Sequence, residues 1–245
     1  MLNRDLNQNI PKGLGTTELP MSVYQRKQPI KSSDFKNIVN TIFKPKIYEN
    51  GFKGKDFFFY KENPIYTQAV FFWTYKTGGA IQVDLLVKFN GNIYPNERLI
   101  KSKEIKPTNA EFQKRLSPNG EKSKENEDVW FWVLQNNVNE NIKVAEDIWR
   151  VFSIRGVDWF KKFENHKKHL GQVTVKNYLE FPDFFINRFF GRDNTGILYF
   201  LFSYWLKMDD KIRAIEFAKE GFEMLKSQTD NVYYIEFKEF LENEK

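Results

Sequence analysis

The chain has 245 residues and no cysteine, which excludes disulfide bonds, thiolate catalysis, cysteine-ligated zinc and iron–sulfur clusters. Hydrophobic residues make up 41% of the chain and aromatic residues 17%, so a large aromatic core is expected. The 38 basic and 32 acidic residues give a net charge of +6. A mixture of this kind does not by itself indicate nucleic-acid binding, because binding needs a patch of one sign.

Two observations bear on the compartment. The first twenty residues contain no apolar run, so no secretory signal peptide is expected. The most apolar stretch, Ile197–Leu206, is too short to cross a bilayer and predicts a buried helix. The sequence therefore predicts a cytoplasmic protein without membrane contact.

The chain opens with a polar segment, residues 1–31, whose prolines and glycines predict a tail or an extended arm. Ser32 or Ser33 is expected to cap a helix, which ends or kinks at Pro45. Three segments with strand character are expected next, at Asp56–Lys61, Tyr66–Thr74 and Ala80–Phe89.

A fourth strand is expected at Val129–Leu134, where Trp130 and Trp132 point to one side and Phe131 to the other. The expected strands are apolar on both faces, whereas a sheet with one solvated face alternates apolar and polar residues. Both faces are therefore expected to be covered, by helices or, on one face, by a partner.

The stretch between Ile100 and Asp128 is long and polar. Loops of this length are uncommon in compact domains and are often functional or mobile. The structural alternative is a short helix near Asn109–Leu116 within a solvated insertion.

Helical spacing dominates from residue 139 onward, with later helices expected near 173–188, 194–207, 211–226 and 231–242. Strands followed by helices predict an α+β fold, with a mostly antiparallel sheet of about four strands and helices packed on it. The expected division is a tail over 1–31, a core domain over 32–165 and a C-terminal helical extension over 166–245. The hairpin of 197–207 and 211–226 allows close packing through small residues, as in tetratricopeptide units, but no second copy follows at a fixed period.

A helix, then Gly51-Phe52-Lys53-Gly54-Lys55-Asp56-Phe57, then an aromatic strand hairpin, resembles an uncharacterised bacterial family known only as a domain of unknown function. The resemblance covers about residues 33–165. It implies a fold of the same class, and it brings no activity and no catalytic residues with it.

Two patterns of metal-binding residues are present. His166 and His169 share a helical face at the spacing of a metal pair, but the lysines between them repel a cation. Asp84 followed by Glu104-x-Lys106 has the residue types of a Mg²⁺-dependent nuclease. The second core strand that such an enzyme needs around Glu104 is not indicated, so neither pattern predicts a metal site.

Aromatic strands beside lysines can also stack single-stranded bases while the charges hold phosphates. Trp73, Tyr75, Trp130 and Trp132 are the aromatic candidates for such a platform. The acidic residues in the same stretch weaken a field of one sign, so this function ranks second.

With no catalytic set, no cofactor and no metal expected, the sequence favours a non-enzymatic intracellular module that binds another protein. A bacterial immunity or defence-associated role is one form of this hypothesis. A nucleic-acid-associated protein and a Mg²⁺-dependent nuclease are the alternatives. Aromatic anchors within a polar rim are typical of protein interfaces. The expected partner-binding residues are Trp130, Trp132, Lys101, Lys103, Lys106, Lys114 and Arg115.

Overall fold

A six-stranded antiparallel sheet forms the centre of the chain. The computed structural model describes residues 30–75, 78–91, 100–118, 131–178 and 194–244. The strands are β1 (Lys53–Lys55), β2 (Phe58–Glu62), β3 (Tyr66–Thr74), β4 (Ala80–Phe89), β5 (Phe112–Leu116) and β6 (Trp132–Val133). Strands β1 to β5 neighbour one another in chain order, and β6 pairs with the start of β4. Since β3 occupies one edge of β4 along its length, β5 and β6 share the other edge.

Helices precede and follow the sheet. The first helical run contains α1 (Ser32–Ile38), a π segment (Val39–Phe43) and α2 (Lys44–Glu49). The second contains α3 (Val138–Val151), a π segment (Phe152–Gly156), α4 (Val157–Lys162), a 3-10 turn (Phe163–Asn165) and α5 (His166–Leu170). Three further helices complete the described chain: α6 (Asn194–Lys207), α7 (Lys211–Met224) and α8 (Val232–Asn243). A 3-10 turn, Ser102–Glu104, lies in the segment before β5. Within the described residues, no helix has the length and apolarity needed to span a bilayer.

One face of the sheet, the core face, packs against these helices because alternate residues of each strand point to the same side. On β4 these residues are all buried: Ile81, Val83, Leu85, Val87 and Phe89. Aromatic rings fill much of the interface. Phe43 of the first π segment packs edge-on against Phe72 of β3 at a ring-centroid distance of 5.2 Å and against Phe152 of the second π segment at 5.7 Å. The expected aromatic core is confirmed.

The C-terminal helices extend the same core. Phe200 of α6 contacts Phe89 and Phe112 at centroid distances of 5.6 Å and 5.4 Å. Helices α6, α7 and α8 pack on one another, and the ring of Phe237 on α8 lies against Gly221 of α7, where no side chain intervenes. Residues from both the expected core domain and the expected extension therefore belong to one hydrophobic cluster.

The α+β fold with an antiparallel sheet is confirmed, and several local expectations need correction. The helix expected near Asn109–Leu116 is wrong, because Phe112–Leu116 forms β5 and pairs with Val83–Val87. The helix expected near 173–188 does not begin at 173. Over 174–177 the Asn177 side-chain oxygen accepts the Thr174 N–H at 2.6 Å and holds a turn instead. Of the expected arm, residues 1–31, all but the last two residues lie outside the described residues, as do residues 179–188.

On the second face of the sheet the expected cover by a helix is not found within the described residues, and the alternative of a partner stays a prediction. In the described part of the chain this face is covered in part by residues 100–110 rather than by a helix. Ile105 of that segment is buried against Ala69 of β3 and Leu86 of β4. The remainder of this face carries aromatic and charged side chains.

Candidate functional site

Four aromatic side chains form a continuous strip on the second face of the sheet. Phe58 and Tyr60 come from β2, and Phe71 and Trp73 from β3. Because Phe58 lies opposite Phe71 in the antiparallel register, all four side chains point to the same side. The centroid distances along this aromatic strip are 5.6 Å from Tyr60 to Phe58, 6.2 Å from Phe58 to Phe71 and 5.0 Å from Phe71 to Trp73. Three of the rings are half-buried, while Trp73 is 39% exposed.

A buried carboxylate fixes the exposed end of the strip. Asp84 of β4 lies opposite Phe71 and is 0% exposed. Its oxygens accept the Trp73 indole N–H at 2.6 Å and the Arg115 Nε–H at 3.0 Å, and the Gln82 amide donates at 3.3 Å. A buried charge of this kind is tolerated when it is paired and hydrogen-bonded. The arrangement holds the indole of Trp73 in one orientation while part of its ring faces solvent.

The segment beside the strip carries cations. Lys101, Lys103 and Lys106 are exposed, and none of them forms a salt bridge within the described chain. Two acids, Glu104 and Glu111, lie on or next to the same segment. The Glu104 carboxylate accepts the Lys101 backbone N–H at 3.3 Å, and Glu111 is buried. The described part of the segment therefore exposes three cations beside the half-buried carboxylate of Glu104.

A buried ion pair anchors this segment to the sheet. Lys88 Nζ lies 2.6 Å from Glu111 Oε1, with side-chain exposures of 5% and 0%. The other Glu111 oxygen accepts the Phe89 backbone N–H at 2.7 Å. At the opposite end of the segment, the Ser102 and Thr67 hydroxyls lie 3.3 Å apart. The segment is thus attached to β3 near its first residue, through Ser102, and to β4 at its other end, through Glu111.

The structure separates the residues expected to bind a partner. Trp132 is 4% exposed, and its indole N–H donates to Asp147 of α3 at 2.8 Å, which makes it a core residue. Lys114 pairs in register with Leu85 and lies on the opposite face from Arg115. Arg115 belongs to the Asp84 network, and Lys101, Lys103 and Lys106 lie on the segment beside the strip. Trp130 lies outside the described residues.

The residues of the two possible metal sites, Asp84 and the pair His166 and His169, contact groups that do not favour metal binding. Asp84 is neutralised by Arg115, and no group of three or more His, Asp or Glu side chains in the described ranges could hold a metal ion. His166 is buried, with its Nδ1 2.5 Å from the Tyr204 hydroxyl, and burial lowers the pKa of its imidazole. Burial, followed by the charges of Lys168 and Lys162, also lowers the pKa of His169. The described geometry gives no support to a Mg²⁺ site at Asp84.

Comparison with protein-family models, curated proteins and solved structures finds no match for this chain. The resemblance to an uncharacterised bacterial family therefore stays a prediction, and the site rests on its own geometry.

Alternation along the expected strand Tyr66–Thr74 puts Phe71 and Trp73 on one face, but sequence reasoning did not join them to Phe58 and Tyr60. The available signal was the alternation in β2 and β3, which puts every second residue on one face. An Asp within the apolar run of β4 was a further signal, because a carboxylate there needs a cationic partner.

Proposed function

We propose that the chain is a non-enzymatic, intracellular protein-binding module whose contact surface is the aromatic strip with its charged border. The observation that carries this proposal is Trp73, which is 39% exposed while its N–H is fixed on the buried Asp84. Trp, Tyr and Arg dominate the residues on which protein interfaces depend. An aromatic anchor that is already ordered loses less conformational entropy when a partner binds.

The surroundings of Trp73 support the same conclusion. Phe71 and Phe58 extend the apolar contact area, and Arg115 and the exposed lysines provide a polar border. This is the arrangement of a protein interface, with an apolar centre and a charged rim. A bacterial immunity or defence-associated role is one form of this proposal, since neutralising a toxin by binding it requires an interface and no catalytic group.

The test is affinity enrichment of the tagged full-length chain from its native host lysate, with and without nuclease. We expect a stoichiometric protein partner whose recovery does not depend on nuclease. With Trp73→Ala the amount of partner recovered should fall at least tenfold. Ile154→Ala is the matched control, because Ile154 is a large apolar residue that is 56% exposed on the second π segment. Thermal unfolding of each variant shows whether the fold is kept. Equal retention of the partner by Trp73→Ala and Ile154→Ala contradicts the proposed surface.

One observation favours a second candidate function, the binding of single-stranded nucleic acid. Lys101, Lys103 and Lys106 are exposed and unpaired with described acids beside rings that could stack on bases. The test is fluorescence anisotropy with labelled oligothymidine across a salt series. Replacing all three lysines by Gln should reduce the slope of log affinity against log salt by about 2. An affinity that does not change with salt removes this candidate.

A further inference from the structure

A groove of about 590 Å³ lies between α6 and α8. Both helices pack on α7, yet no residue of α7 lines the groove. Helix α6 precedes α7 and helix α8 follows it, each through a short connection, so each is antiparallel to α7. Tyr199 contacts Tyr233, and Phe202 further along α6 contacts Phe240 further along α8, so the two helices run in the same direction. The groove therefore lies between two parallel helices.

The floor of the groove is apolar. Phe202 of α6 and Phe240 of α8 meet edge-on at a centroid distance of 4.9 Å. Beside them Leu206, which is 44% exposed, projects from the last turn of α6. Phe202 is buried, while the Phe240 ring is half-buried. The exposed leucine beside the half-buried Phe240 ring offers an apolar side chain of a partner a place to be buried.

The wall contributed by α8 is acidic. Glu236 and Glu239 are spaced three residues apart and lie on one helical face, where both line the groove. Neither forms a salt bridge in the described part of the chain. Lys207 is the cation that lines the groove, and its ammonium donates to the Asn90 carbonyl in the turn after β4. This is one positive charge against the two glutamates, so the described lining of the groove keeps an excess of one negative charge.

We propose that this groove binds an amphipathic helix of a partner protein, with apolar side chains on Leu206 and Phe240 and Lys or Arg opposite Glu236 and Glu239. Helix-in-groove recognition uses apolar anchors at i, i+3, i+4 and i+7 on the bound helix. The charge of the wall selects a basic helix over an acidic one. This surface lies on different elements from the aromatic strip, so the two proposals are tested independently.

The probe is a displayed library of amphipathic helices that share one apolar face and carry Lys or Glu at each flanking position. The library is selected on the full-length chain, and its sequences are counted before and after selection. We expect Lys to be enriched at the flanking positions. Selection without a charge preference, or a preference for Glu, overturns the proposal.

Binding of the most enriched peptide is then measured by fluorescence anisotropy on two charge-reversal variants. Glu239→Lys should weaken binding about tenfold and should improve binding of the same peptide with Glu in place of Lys. Glu216→Lys is the matched control. Glu216 is an exposed glutamate on α7 that lies outside the groove, and its replacement by Lys changes the net charge by the same amount. Equal weakening by both variants shows a non-specific charge effect and overturns the proposal.

A third variant separates the two parts of the groove. Leu206→Ser should weaken the binding of the Lys peptide and of the Glu peptide to a similar extent, since it removes apolar contact and no charge.

Sedimentation velocity of the unmodified chain tests the alternative occupant, a second copy. Self-association that Leu206→Ser abolishes would assign the groove to a dimer and overturn the partner-helix proposal.

Discussion

The buried ion pair between Lys88 and Glu111 allows a quantitative test of what attaches residues 100–111 to the sheet. Replacing Glu111 by Ala leaves the Lys88 ammonium, whose side chain is 5% exposed, without its carboxylate. It also removes the acceptor of the Phe89 N–H. Breaking a buried pair from one side costs about 3–5 kcal/mol of unfolding free energy, because the remaining charge is uncompensated. For a chain of this length the melting temperature should fall by about 10 °C.

The matched control removes both charges and keeps the acceptor. In the double variant Lys88→Met, Glu111→Gln, the Gln side-chain oxygen can still accept the Phe89 N–H, and neither position carries a charge. Replacement of a buried pair by neutral groups of similar size is often neutral, so the double variant should regain most of the loss. Urea unfolding gives the free energies, with the slope m showing whether the denatured state has changed. A cost below about 1 kcal/mol for Glu111→Ala at constant m would refute the reasoning.

Three further predictions concern other packed positions. Because burial lowers the folded-state pKa of His166, the unfolded chain binds more protons below pH about 6.5. Stability should therefore fall as the pH drops from about 6.5 to 5, and less steeply in His166→Phe, as measured by urea unfolding at each pH. Gly221→Ala places a methyl group on the Phe237 ring and should cost about 1–3 kcal/mol in the same assay, and an unchanged midpoint would contradict this close approach. Gly54→Ala forces φ +126° on an L residue and directs its Cβ at the Phe58 carbonyl, so it should cost at least about 1 kcal/mol.

Much of the sheet could be predicted from the sequence. The predicted bounds of β3 and β4, Tyr66–Thr74 and Ala80–Phe89, are those of the structure. Both are long β-branched and aromatic runs bounded by turn residues, and such segments carry the strongest strand signal. The three C-terminal helices likewise follow from long apolar stripes with clear turns between them.

Other elements were missed because contacts distant in the sequence determine them. Phe112–Leu116 contains Gln, Lys, Arg and Leu, all of which favour helices, yet pairing with β4 makes it a strand. The aromatic strip and the Asp84 network depend on the register of three strands, which residue spacing within one strand does not give. Trp132 was expected at a surface because a sequence does not show that Asp147, on a later helix, receives its N–H.

The position of β4 has a consequence for synthesis on the ribosome. Its second edge is filled by β5 and β6, which come from later in the chain. Translation adds about 5–20 residues per second, so the last partner strand is made a few seconds after β4. During that interval the nascent chain presents an apolar, unpaired strand edge, which is the kind of surface that pairs with other chains. Chaperone binding to stalled nascent chains should therefore be stronger when β4 alone has left the ribosome than when β5 and β6 have left it as well.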